Sequence, residues 1–310
     1  MGLQQLSVAM MITDADLEQE FGIHILKQVR VRDVFQIHTL EHGVLCLKSY
    51  AISEPEIDMI VQVMLHLAEN GFLQGPRIHF TLSGCPWITR DEVHYMLTNW
   101  VIGENPDFGE RKLFKKAIRL LARFHSIAQS FPAEHTAEER IKFHKLQKRI
   151  TASRDMLAEQ QGMERFVSLC NKAMKHLDNP IMVKALTKEQ DDRAFVHGDY
   201  NYPNLVLDTS GTLHMIDFEN TSLHVRMEDF SHMLHRNYPW QGKEICHWIE
   251  YYDRKRPLSN EDLHILYTLL LVPYPIIRSL KSHNRNTLAR MALPSKKQVR
   301  TYRKELKSLL

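Results

Sequence analysis

Branched and aromatic residues crowd into three short runs near the start of the chain: Ile25 to Val29, Val34 to Thr39 and Val44 to Tyr50. Polar stretches, Arg30-Val31-Arg32-Asp33 and Leu40-Glu41-His42-Gly43, divide them, which predicts an antiparallel meander. A short helix with an N-cap signal at Thr13-Asp14 and a glycine stop at Gly22 precedes the meander. After it, Ser53-Glu54-Pro55-Glu56 reads as a helix start, with serine at the cap and proline in the first turn. Ile57, Ile60, Val61, Met64, Leu65 and Ala68 then recur at helical spacing up to the stop at Asn70-Gly71. Residues 77–82 and 93–98 read as two further strands, so the first third of the chain is expected to form a five-stranded antiparallel sheet with one main helix.

From Gly109 the period changes. Leu113, Ala117, Leu120, Leu121, Phe124 and Ile127 mark a long amphipathic helix, within which His125 is expected to pack in the core. Residues 134–193 read as charged helix. Trp240, Trp248, Tyr251 and Tyr252 are expected to pack within another helix, and Ser295 to Leu310 forms a last one with Val299, Tyr302, Leu306 and Leu309 along one side. The class is therefore α+β, a sheet-bearing first third followed by a mostly helical remainder.

Composition adds limits more than direction. With 310 residues, 44% apolar and 25% charged, the chain has the make-up of a globular protein with a large core. A formal charge of +3 implies neither a nucleic-acid nor a membrane partner. The 18 histidines are scattered without a ligand spacing. Cys46, Cys85, Cys170 and Cys246 form no CxxC pair and are expected to be reduced thiols of a cytosolic protein. No secretory signal is visible at the N-terminus. The apolar run Leu266 to Ile277 is broken by Pro273 and Pro275 and falls short of the roughly 20 residues that cross a bilayer.

The candidate chemistry lies in residues 195–219. A short apolar run delivers His197-Gly198-Asp199, a loop carries Asn204, and two strands joined by a turn at Asp208 to Gly211 lead to Asp217. Strand pairing, at a spacing of about 4.8 Å, brings Asn204 and Asp217 together as two hard oxygen donors suited to magnesium beside nucleotide phosphates. Asp199 is the candidate base for an incoming hydroxyl, and Glu219 is placed to assist the metal or face the substrate. Asp, Asn and Gly also make ordinary hairpin turns, but the string HGDYNYPN, an LVLD strand, a glycine turn and MIDFE is far more specific than a lone HGD.

At these residues the sequence resembles the aminoglycoside phosphotransferase and choline kinase superfamily, which implies a protein-kinase-like two-lobed fold with ATP and Mg2+ as cofactors. The resemblance places Lys48, in the third strand, on the nucleotide phosphates and pairs it with a helix carboxylate, for which Glu56 is the candidate; Glu56 as a first-turn capping acid is the competing reading. It gives the segment Tyr95 to Gly103 the role of an adenine-binding hinge, with the main chain of Asn99 and Val101 as donors and acceptors and Met96 as gatekeeper, and makes that hinge the boundary between two expected units, residues 1–101 and 102–310. It makes Asp229 a buttress of the catalytic loop. The turn between the first two strands departs from the kinase pattern in having no glycine; Arg30 and Arg32 stand there as candidate phosphate ligands or as solvated turn residues.

Within the superfamily the chain is most similar to the CotS-type spore coat proteins of endospore-forming bacteria. The similarity rests on Val44-Leu45-Cys46-Leu47-Lys48, Leu67-Ala68-Glu69-Asn70-Gly71-Phe72, HGDYNYPN, and Asp253-Arg254-Lys255-Arg256-Pro257-Leu258-Ser259 leading to Val272-Pro273-Tyr274-Pro275. It implies a bacterial, sporulation-linked protein, cytoplasmic or deposited in the coat, with other coat proteins as partners. Two functions follow: a kinase acting on a small hydroxyl-bearing molecule, or a non-catalytic coat component that keeps the fold as a scaffold. Phosphorylation of choline or a homoserine-type metabolite is a third.

Overall fold

A computed structural model describes residues 12–281 and 293–310. Strands β1 (Ile25–Val31), β2 (Val34–Thr39) and β3 (Gly43–Tyr50) form the expected meander, with Val31 opposite Val34 and Thr39 opposite Gly43. Two short strands, β4 (Ile78–His79) and β5 (Ile88–Arg90), share the far edge of β6 (Val93–Asn99), whose other edge pairs with β3. The strand expected over 77–82 is thus only two residues long. Its continuation leaves the sheet because the Thr81 amide bonds the Cys85 carbonyl and the Leu82 amide bonds the Glu20 carbonyl.

The two faces of this sheet are covered differently. Helix α1 (Asp14–Phe21), capped by Thr13 and closed by Gly22 at φ 64°, lays Leu17 and Phe21 over Ile37, Leu45, Leu47 and Leu97. On the other face Tyr50 and Met96 meet α2 (Glu54–Glu69), and this core runs on without a break into α3 (Arg111–Ile127). Phe114, Ala117, Leu121 and Phe124 of α3 are fully buried, each contributing about 1.5–3 kcal/mol for the larger side chains, and His125 is buried among them as expected.

Residues 133–145 differ from the expected helix. They form three single 3-10 turns, because Arg140 is pulled out of helical register to bond the carbonyls of Glu219 and Thr221 at 2.7 and 2.9 Å. Helices α4 (Leu146–Ala158), α5 (Glu164–Leu177) and α6 (Pro180–Asp191) follow. The chain then makes a three-stranded sheet from β7 (Gly103–Glu104), β9 (Leu205–Asp208) and β10 (Leu213–Met215), and a two-stranded one from β8 (Phe195–Val196) and β11 (Ser222–Leu223). The rest is helical: α7 (Met227–Asn237), α8 (Gly242–Asp253), α9 (Asn260–Leu271), α10 (Tyr274–Lys281) and α11 (Lys296–Leu306). Trp240 stands ahead of α8 at φ 64° instead of inside a helix, while Trp248 and Tyr252 are buried on α8. Val299, Tyr302 and Leu306 are the buried side of α11. Among the described residues no single helix is long and apolar enough to cross a membrane; α9 and α10 pass only as a pair bent by 49°.

Burial also sets a pH limit on stability. His224 and His235 are enclosed, and loss of hydration pushes both imidazoles down to about 4. An unfolded chain takes up these protons near pH 6.5, so protonation favours unfolding. Stability is expected to be full above about pH 6.5 and to fall as the pH drops towards 4. Urea midpoints measured between pH 7.5 and 4.5 check this; a flat profile across that window contradicts it.

Candidate active site

The register of the β9–β10 hairpin assembles the first two groups. Leu205 lies opposite Met215, and one step beyond, the Ile216 amide donates to the Asn204 carbonyl at 3.0 Å. Asn204 is thereby fixed beside Asp217 although thirteen positions of sequence separate them. The turn is held by Asp208, whose carboxylate accepts from Ser210, Thr212 and His214 and is kept ionised well below its usual range, the Ser210 and His214 bonds weighing most. Asp217 itself sits at φ 68°, ψ 68°, a left-handed conformation that a side-chain-bearing residue holds only under constraint from its surroundings.

The preceding loop is hung from α7. Asp229, buried at the start of that helix, accepts the amides of His197 at 2.7 Å and Gly198 at 2.9 Å. Burial disfavours the Asp229 charge, but His125 and the donated hydrogen bonds outweigh it and hold the carboxyl below its usual value. The His197 ring spans to the other strand end, with Nε2 on the Ile216 carbonyl at 2.9 Å, so its Nδ1 is left to accept the Asp199 amide at 3.3 Å. Gly198 is at φ +86°, and a Cβ there would lie 2.2 Å from the Asn220 carbonyl oxygen. The Asp199 carboxylate emerges half-exposed, with Oδ2 on the Asn204 amide at 3.0 Å and Oδ1 on the Arg236 guanidinium at 2.7 Å.

Lys48 reaches this site from β3. Its Nζ lies 2.5 Å from Asp217 Oδ1 and 2.7 Å from Glu219 Oε2. Burial opposes the ammonium charge, yet the Tyr50 hydroxyl and the two carboxylates beside it win, so the lysine is held above its ordinary range and stays charged. The expected Lys48–Glu56 pair is not formed in this structure. Glu56 closes the capping box of α2 with Ser53 and pairs with Arg140 at 3.2 Å, and Arg140 in turn holds the Glu219 carbonyl. The helix carboxylate is thus linked to the site through an arginine that sequence spacing does not single out.

A cavity of about 480 Å3 opens between the sheet and the hairpin, with Lys48, Asn204 and Asp217 at one end and the β6 exit at the other. Met96, Asn99 and Val101 line it, as do Thr98 and Cys46, which face each other across β3 and β6. The Val101 N–H makes no hydrogen bond among the described residues, whereas the Asn99 amide is taken by the Arg77 carbonyl at 3.0 Å. Burial pushes the Cys46 thiol up to about 11, so it presents an uncharged sulfur to the cavity. Of the two turn arginines only Arg32, at φ 58°, borders the cavity. Arg30 is exposed and donates through Nε to the Arg32 carbonyl.

Arg236 is the further side chain that sequence reasoning missed. It extends from α7 with 13% of its side chain exposed and bonds both Asp199 and the Tyr274 hydroxyl, the latter at 3.0 Å. Nothing in the spacing marks it, because residues 37 and 38 positions away supply its partners. The donor set around Asn204 and Asp217 fits a hard cation. The Asn204 amide nitrogen is spent on Asp199, which leaves its oxygen, and Asp217 Oδ2 is not tied to Lys48. Among the described residues there is no cluster of three His, Cys, Asp or Glu side chains able to hold a metal unaided. Magnesium, which keeps phosphate and water ligands, does not require one.

A twisted antiparallel sheet over a helical part, with a lysine strand, an acid-bearing hairpin and a cavity between them, defines a kinase-like phosphotransferase fold. The chain belongs to the phosphotransferase enzyme family (APH), whose model matches residues 27–258. Among solved structures it is similar to an aminoglycoside phosphotransferase from Alicyclobacillus acidocaldarius, with TM-score 0.74 and 18% identity over 99% of this chain and 97% of that one. The amicoumacin kinase solved with AMP-PNP and Ca2+ gives TM-score 0.62 at 13% identity, over 95% and 91% of the two chains. A microcompartment-associated aminopropanol kinase gives 0.59 at 17%, over 93% and 90%. A curated relative, spore coat protein S of Bacillus subtilis strain 168, is 27% identical over 118 residues, which is 37% of this chain and 33% of the relative's length.

Proposed function

We propose that the protein transfers the γ-phosphoryl group of ATP to a hydroxyl of a small molecule, in association with the spore coat. The observation that carries this reading is the convergence of Asn204, Asp217 and Lys48 at one end of the 480 Å3 cavity, with Asp199 bonded to Asn204 just outside it. On this reading residues 1–101 hold the nucleotide, and 102–310 supply the hairpin and the acceptor site. The adenine lies against Met96, Thr98 and Val101, whose free N–H is its donor, and the phosphates lie towards Lys48 and Arg32.

Asn204 and Asp217 would hold magnesium, and the chemistry a bound ion supplies is neutralisation of phosphate charge. Asp199 orients the acceptor hydroxyl. The hydroxyl oxygen bonds to the γ-phosphorus as the bond to the β–γ bridging oxygen breaks, ADP leaves, and the hydroxyl proton passes to the Asp199 carboxylate. Arg236 fixes that carboxylate towards the acceptor side. Lys48 releases the carboxylates of Asp217 and Glu219 as phosphate oxygens arrive, exchanging one set of charged partners for another. Positioning and charge neutralisation supply the acceleration.

Nucleotide titration tests this directly. Mg·ATP is expected to raise the melting temperature, ATP without magnesium to raise it less, and Asp217→Asn to remove the difference between them. No shift with Mg·ATP sinks the reading. A second reading, a coat scaffold without turnover, is favoured by the glycine-free turn, where Arg32 and Asp33 stand in place of a backbone-amide flap. Binding of Mg·ATP without release of phosphate selects it. The coat association is supported by the similarity to spore coat protein S. It predicts detection in coat extracts of mature spores, and confinement to the soluble fraction of vegetative cells contradicts it.

A further inference from the structure

A second cavity, of about 320 Å3, lies between α4, α7 and the α9–α10 corner and shares no lining residue with the first. Its floor holds a buried acid. Glu228 is 3% exposed; its Oε1 is bonded by Arg149 at 2.5 Å and approached by His232 Nε2 at 3.2 Å, but its Oε2 has no hydrogen-bond partner. The surrounding cations keep the group ionised in spite of burial. A buried carboxylate oxygen without a donor is unfavourable by itself, and a ligand N–H or O–H entering the cavity would satisfy it.

The rim has the opposite charge. Arg278 and Lys281 stand on α10 one turn apart, line the same cavity, and make no ion pair among the described residues. With Arg149 the cavity carries three permanent cations against one carboxylate, and Arg149 already neutralises that one. Such a lining repels a polycation and attracts a small anion. Its size, at the lower end for ligand pockets, suits a small molecule.

One wall of the cavity leads to the candidate base. Tyr274 lines it, stacks on His232 with ring centroids 4.1 Å apart, and accepts through its hydroxyl from the Arg236 guanidinium at 3.0 Å, which holds Asp199 at 2.7 Å. We propose that this cavity is the acceptor pocket and that its ligand is a small hydroxyl-bearing molecule with an anionic group for Arg278 and Lys281 and a donor for Glu228. Hydroxy acids and hydroxylated amino acids have this chemistry; polycationic aminoglycosides do not. The assignment of the ligand as acceptor rests on the kinase reading, while its binding does not.

Calorimetric titration of the full chain with glycerate, L-serine, choline and kanamycin tests the proposal, alongside a separate titration with Mg·ATP. Glycerate or L-serine is expected to bind, and Arg278→Glu/Lys281→Glu, both on an exposed helix face, is expected to weaken it by about tenfold or more without altering the response to Mg·ATP. Preferred binding of kanamycin or choline, binding of none of the four, or affinity for the anions unchanged by the charge reversal overturns the proposal. If the anions bind in this charge-dependent way but Mg·ATP does not bind, the pocket stands and the kinase reading fails.

Discussion

Asp199→Asn is expected to lower release of phosphate from Mg·ATP by about 10²–10⁴-fold while leaving the thermal shift with Mg·ATP in place. The separation follows from position. Asp199 does not border the nucleotide cavity, and its two oxygens face Asn204 and Arg236. An asparagine there keeps the shape and an acceptor oxygen but has no charge to take the acceptor's proton. The fold should tolerate the change, since the carboxylate is half-exposed and its ion pair with Arg236 is screened, so a stability loss of about 1 kcal/mol or less is expected. Phosphate release within about twofold of the parent protein would remove Asp199 from the reaction. Loss of the Mg·ATP shift in the variant would instead mean that the loop helps to hold the nucleotide.

Gly198→Ala is expected to destabilise the protein by roughly 2–5 kcal/mol, from two effects that add at one residue. Its φ of +86° is unfavourable for any residue with a Cβ, and that Cβ would lie 2.2 Å from the Asn220 carbonyl oxygen. The loop cannot easily move aside, because the His197 and Gly198 amides are pinned to Asp229. Gly71→Ala is the matching control: φ is +77°, but nothing lies within 4 Å of the added carbon, so only the conformational part, about 1–2 kcal/mol, is expected. Urea midpoints of the two variants check the difference. Equal losses would show that the close approach at Asn220 relaxes freely. A large loss at Gly198 alone would show that the loop carrying Asp199 is rigid before any ligand binds.

Much of the site was legible because the relevant residues are local. Asp199, Asn204 and Asp217 fall within one hairpin, and the period-two pairing of β9 and β10 is enough to bring the last two together. Lys48 is singled out by the family resemblance and not by its strand, where a lysine is ordinarily solvated. Asp229 stands at a helix start and does accept the loop amides. The readings that failed concern partners chosen at long range. Glu56 at the start of α2 was a reasonable partner for Lys48, but Arg140 reaches it first and the lysine turns to Asp217 and Glu219. Thr98 shares a face of β6 with Met96 by strand alternation, but that Cys46 stands opposite it on the cavity wall follows from the β3–β6 register, which no single strand reveals.

The sequence by itself determined the order of elements, the sheet with its main helix, the helical remainder and the acid-bearing hairpin, because periodicity, caps and turn residues act over a few positions. Only the tertiary structure decided which charges meet. Arg236 sits on Asp199, Arg140 ties Glu56 to the Glu219 carbonyl, and Glu228, with one oxygen unsatisfied, lines a cavity together with Arg278 and Lys281. These contacts join residues far apart in the chain. Their strength depends on exclusion of water and on distances of about 3 Å, which packing fixes and spacing along the sequence does not.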